Sequence, residues 1–90
     1  MQRNGLQLLH ETPVRVRFRL PLLSDPLIDF SWLETWLESI RGVEAVRINR
    51  HAASVVLDYD GQNATRSAIL TRLRGLRRRK IPSGEAAPTP

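Results

Sequence analysis

Cysteine is absent from the 90 residues. That excludes disulfides, thiolate metal sites and a cysteine nucleophile, and it suits a reducing, cytoplasmic setting. Lysine is almost absent: 13 of the 14 basic residues are arginine. Aromatic residues make up 6% of the chain. No apolar run approaches the ~18 residues that a membrane span needs. The opening MQRNGLQLLHE lacks the long apolar stretch of a secretory signal, so a soluble chain is expected. There is no glycine-rich phosphate loop, no paired-carboxylate motif and no ordered Ser, His and Asp constellation. The expectation is therefore a protein that is not an enzyme.

What is present is a small domain with an excess of positive charge. The formal net charge is +5. Such a balance attracts nucleic acid, acidic lipid or an acidic protein face without choosing among them. A chain of this size buries only roughly 60% of its unfolded surface, so its core is small.

The clearest pattern is VRVRFRL, residues 14–20. Val14, Val16, Phe18 and Leu20 alternate with Arg15, Arg17 and Arg19, which predicts a half-buried strand with one apolar and one cationic face. LPLLSDP reads as a loop. Phe30, Leu33, Leu37 and Ile40 recur at helical spacing, with Gly42 as the stop and Asp25, Asp29 or Ser31 as the cap. VEAVRIN and SVVLDYD read as two strands joined by the short RHAA, hence an antiparallel hairpin, with Val46, Ile48, Val55, Leu57 and Tyr59 inward. Asp60-Gly61 turns the chain, Asn63 is read as the cap of a second helix, and Ile69, Leu73 and Leu76 are its buried face, with Leu70 at the margin.

Strand, helix, strand, strand, helix is the ferredoxin-like β-α-β-β-α-β plan short of its last strand. A sandwich of two helices on one face of a three- to four-stranded antiparallel sheet is expected. The fourth strand should be short or absent, because Ile81 stands alone in RRRKIPSGEAAPTP and Pro82 blocks extension. Residues 1–82 form the domain in this reading, and 83–90 a disordered, proline- and alanine-rich tail. A missing last strand leaves an open edge on the arginine strand. Residues 5–9 folding back, a second copy of the chain in a homodimer, or a partner strand would each cover it.

Three ordered segments, HETPVRVR, LESIRGVEAVRIN and SVVLDYD, resemble the heavy-metal-associated domain in its cysteine-free form. That form occurs at the N-terminus of some bacterial cation-transporting P-type ATPases and in small companion proteins. The resemblance covers about residues 8–76 and implies an accessory or regulatory role in cation transport, exerted through protein contacts, with such an ATPase as a partner. Two positions depart from the family. Val14 replaces the glycine of its His-x-x-Pro-Gly-Arg-x-Arg opening. PLLSDPLIDF stands where the ordinary domain carries Met-x-Cys-x-x-Cys, so thiolate capture of an ion does not carry over.

The remaining candidate sites each have an ordinary alternative. His10 and His51 are the only imidazoles, and each has carboxylates nearby for a weak divalent-metal site. Placed at opposite ends of the sheet, they are not expected to share an ion. A solvated histidine is the ordinary reading, and no cofactor is expected. Arg15, Arg17, Arg19 and Arg47 belong to the sheet face that the helices leave open. They form either a solvated face paired chiefly to Asp58, a docking face for an acidic protein, or a weak phosphate-binding face. Sequence-specific RNA recognition is disfavoured, because Phe18 and Tyr59 have core parity and leave no stacking platform outside. Trp32 and Trp36, four apart on the first helix, either close the core edge or present an aromatic patch to a partner. Arg77, Arg78, Arg79 and Lys80 form a basic run that either ends a helix in solvent or faces an anionic membrane surface.

Overall fold

The computed structural model describes residues 4–77. Four strands, β1 (Gln7–Thr12), β2 (Arg15–Arg19), β3 (Val43–Asn49) and β4 (Ser54–Tyr59), form one antiparallel sheet in the order β1-β2-β4-β3. Two helices, α1 (Phe30–Glu38) and α2 (Asn63–Gly75), complete the fold, with a short 3-10 turn at Pro21–Ser24. Val16, Phe18, Val46, Val55, Leu57 and Tyr59 from the sheet form a single buried cluster with Leu33, Leu37, Ile69, Leu73 and Leu76 from the helical layer. The alternation of apolar and charged residues in β2 is thus converted into a two-layer sandwich. Burial of the apolar side stabilises it by ~25 cal/mol per Å² removed from water.

The chain builds a ferredoxin-like α+β sandwich with one change in element order. The fourth strand comes first. β1 pairs antiparallel with β2, at the edge that the last strand of the plan occupies. The edge of the arginine strand is therefore closed from within, by a strand longer than the 5–9 segment considered above. The open edge expected to take a second copy or a partner strand is thus occupied by the chain's own β1. The residues expected to hold a short C-terminal strand and a disordered tail, 78–90, lie outside the described ones.

β1 and β2 are joined by Pro13 and Val14 alone, and Thr12 Oγ1 accepts a long hydrogen bond from the Val14 amide (3.4 Å). Among the described residues the only non-glycine with positive φ is Ala53, so the turn does not have the mirror-image geometry that two-residue hairpins favour. Proline's fixed φ allows the connection without a glycine. Val14 is exposed in this turn rather than facing the core.

The N-terminal segment is tied to the far end of the fold. Asn4 Nδ2 donates to the carbonyl of Leu73 (2.6 Å) and to that of Leu76 (3.2 Å), in the last turn and at the C-cap of α2. At the start of α1 the cap is Asp29, whose carboxylate accepts from the Trp32 amide at 3.0 Å. At α2 the expected cap, Asn63, is instead the first helical residue. Gln62 precedes it and makes no side-chain capping bond.

Candidate functional site: the arginine-lined sheet face

Residues directly opposite one another in a sheet share a face, and register therefore decides what stands beside the arginines. Three cross-strand rows result. His10, Arg17, Val56 and Arg47 form the middle row. Thr12, Arg15, Asp58 and Ala45 form one flank, and Gln7, Arg19, Ser54 and Asn49 the other.

Two irregularities set this register. The β1–β2 pairing shifts between Leu8 and His10, leaving Leu9 as an extra residue. Because side-chain parity has period two, that insertion turns His10 to the open face and Glu11 to the helix side. There Glu11 forms an ion pair with Arg66 of α2. A second shift between Val43 and Ala45 leaves Glu44 extra and returns Val46 to the core. Only the second lies in a segment whose apolar residues announce the result.

Charge is unevenly satisfied on this face. Arg15 Nε donates to Asp58 Oδ1 at 2.5 Å, and that bond and charge raise the Arg15 pKa above its ordinary value. Arg17, Arg19 and Arg47 have no ion-pair partner among the described residues. Arg17 and Arg47 flank Val56 from the two neighbouring strands, so their Cα atoms are about 10 Å apart. A groove lined by His10, Arg15, Arg17, Arg47, Val56 and Asp58 runs over this row. Its apolar floor lowers the local dielectric beneath two unpaired guanidinium groups, which strengthens their pull on an anion.

Ser54, in the flanking row, is 1% exposed, and its hydroxyl has no hydrogen-bond partner among the described residues.

No family model matches the chain, and neither a curated protein nor a solved structure proves significantly similar to it. The sheet face and the helical layer therefore carry the functional argument by their own chemistry.

His10 is located differently from the sequence reading. It belongs to a strand of its own, the edge strand β1, where it stands opposite Arg17. His51 lies in the β3–β4 turn, at the other edge of the sheet. Three strand spacings, about 14 Å, therefore separate β1, which carries His10, from β3, which leads into the turn with His51. Among the described residues no group of three His, Asp or Glu side chains is placed to hold a metal ion. No described helix is long and apolar enough to cross a membrane.

The tryptophans come together on α1. Trp32 and Trp36 stack with ring centroids 5.6 Å apart and planes 13° from parallel, and both pack against the core. Arg72 of α2 lies over Trp36, 5.3 Å from the ring centroid. Its Nη1 donates to the Trp36 carbonyl and to Ser39 Oγ, each at 2.8 Å. Sequence periodicity anticipates the tryptophan pair but not the arginine, which is 36 residues away in the chain. Of the basic run, Arg77 donates to the carbonyls of Arg74 and Leu76, and Arg78, Arg79 and Lys80 lie outside the described residues.

Proposed function

We propose that this chain is a non-catalytic interaction domain whose arginine-lined sheet face receives an extended acidic segment of a partner protein. The observation that carries this is the middle row: Arg17 and Arg47 without ion-pair partners on either side of Val56, beside an Arg15 already neutralised by Asp58. Alternate side chains of an extended peptide recur about every 7 Å, the spacing of Arg17 and Arg19 along β2. Carboxylates at alternate positions match that repeat, and guanidinium forks bind carboxylates in bidentate fashion. A cytoplasmic setting and a partner in cation transport are the finer part of the proposal. They rest on the resemblance of HETPVRVR, LESIRGVEAVRIN and SVVLDYD to cysteine-free heavy-metal-associated domains.

Titration of the labelled protein with a decapeptide of alternating glutamate and threonine tests the reading. Saturable shifts are expected at Arg15, Arg17, Arg19 and Arg47, and an Arg17→Glu/Arg47→Glu variant should abolish them while remaining folded. Tighter binding of a single-stranded RNA decamer, falling steeply with salt, would replace the acidic protein by nucleic acid. Cross-linking in the native cell addresses the finer part, which a partner unrelated to cation transport removes.

A further inference from the structure

On the helical layer, remote from the arginine rows, a groove is lined by Trp32, Trp36, Thr71, Arg72, Gly75 and Leu76 and has a volume of about 330 Å³. We infer that this groove is a second docking site, taking a phenylalanine- or leucine-sized side chain of a partner segment with a carboxylate beside it. The inference does not rest on the sheet face.

Three observations point to that occupant. The first is Gly75. It is the last residue of α2, yet its φ is not positive, so it does not serve as the left-handed cap for which helices normally end in glycine. A Cβ built on it meets nothing within 4 Å. Glycine weakens a helix relative to alanine, and neither backbone nor packing requires it here. Its effect is to leave one wall of the groove open at the main chain.

The second is the stacked pair Trp32 and Trp36, which supplies a broad, rigid apolar wall. Both rings are only partly buried, although the core has ample apolar neighbours. Large, partly exposed tryptophans are the side chains that dominate binding energy at protein interfaces.

The third is Arg72, which supplies the charge preference. Its Nη1 is engaged by the Trp36 carbonyl and Ser39 Oγ, which fixes the guanidinium plane at the groove. No carboxylate pairs with it among the described residues. An immobilised arginine at the mouth of an apolar slot selects an anionic neighbour of the inserted side chain and loses little side-chain entropy on binding.

The test uses the full chain, ¹⁵N-labelled, and an acetylated, amidated hexapeptide with one phenylalanine among aspartates. A second peptide carries serine in place of the phenylalanine. The first peptide should give saturable shifts at the Trp32 and Trp36 indole N–H signals and the Gly75 amide, which the second does not reproduce. Gly75→Val should weaken this binding at least about tenfold without lowering Tm, because valine is no worse a helix former than glycine. Arg72→Met, which keeps an apolar cover over Trp36, should weaken it about tenfold for the lost charge-assisted bond. Both variants should leave the response of Arg17 and Arg47 to the glutamate–threonine peptide unchanged, which separates failure of this site from failure of the sheet face. Three results would overturn the inference. One is identical shifts with both hexapeptides. Another is unaltered affinity in Gly75→Val. The third is indole shifts that follow protein concentration alone with a dimer in sedimentation, which would make a second copy the occupant.

Discussion

Asn4 Nδ2 lies 2.6 Å from the carbonyl oxygen of Leu73, residues separated by almost the whole described chain. The same amide group reaches the Leu76 carbonyl, and Asn4 Oδ1 accepts from the Leu6 amide at 3.1 Å. One side chain thus ends α2 and launches β1. Asn4→Ala should cost about 1 kcal/mol. Hydrogen exchange is the measurement: amides of Gln7–Thr12 should lose more protection than those of β4. Equal loss in both strands would mean that Asn4 supports the whole fold rather than its edge.

Gly42, with φ +97, sits where β3 begins, and a Cβ there would come within 2.6 Å of Asp60 Oδ2 and collide with Thr65 as well. Its carbonyl also accepts from the Asp60 amide at 3.0 Å. Gly42→Ala combines a left-handed backbone with a close approach, so a loss of about 1–3 kcal/mol is expected in urea unfolding. A neutral result would show that the Asp60 loop moves aside freely.

Glu11 faces Arg66 because of the extra residue in β1. The hydrogen bond from that guanidinium lowers the Glu11 pKa below 4.5, with the charge adding to it and desolvation opposing it. A depressed carboxyl pKa stabilises the fold above the unfolded-state value, and the stabilisation disappears as pH falls through the folded-state value. The stability difference between the native chain and Glu11→Gln should therefore be constant above about pH 5 and shrink toward zero in acid. A difference that does not change with pH would show that the pair is not formed in solution.

For Arg15 and Asp58 the side chains are 53% and 27% exposed. Solvent screening limits such a pair, and a double-mutant cycle should return only a weak coupling that falls as salt is raised. A larger, salt-insensitive coupling would point to a more desolvated pair, and to a sheet face less open to partners.

Much of this architecture is legible in the sequence because its signals are strong where burial is strong. VRVRFRL alternates strictly, and Val16 and Phe18 are buried as that alternation requires. VEAVRIN appears as β3 at the expected bounds, SVVLDYD appears as β4 without its last residue, and Leu33, Leu37, Ile69 and Leu73 fill the core. β1 is illegible for a physical reason. As an edge strand it is almost wholly exposed, and the insertion at Leu9 breaks the period that a strand reading depends on. The same insertion moves His10 onto the arginine row and Glu11 away from it. The site is legible in part: period two places three arginines together, and helical spacing pairs the tryptophans. What no local pattern contains is the reach of Arg72 to Trp36, or the unused freedom of Gly75.

Closing the sheet with its first strand also reshapes the folding problem. β1 meets β2 through partners between three and twelve residues apart, from Thr12 with Arg15 to Gln7 with Arg19. Such a hairpin forms in about 1–10 μs. A strand supplied after α2 would have to search across roughly sixty residues for the same place, at greater entropic cost and lower speed. The slowest pairing therefore moves inward, to β2 with β4, where Arg15 must find Asp58. A nascent chain thus holds the outer partner of its arginine strand before α2 has been made.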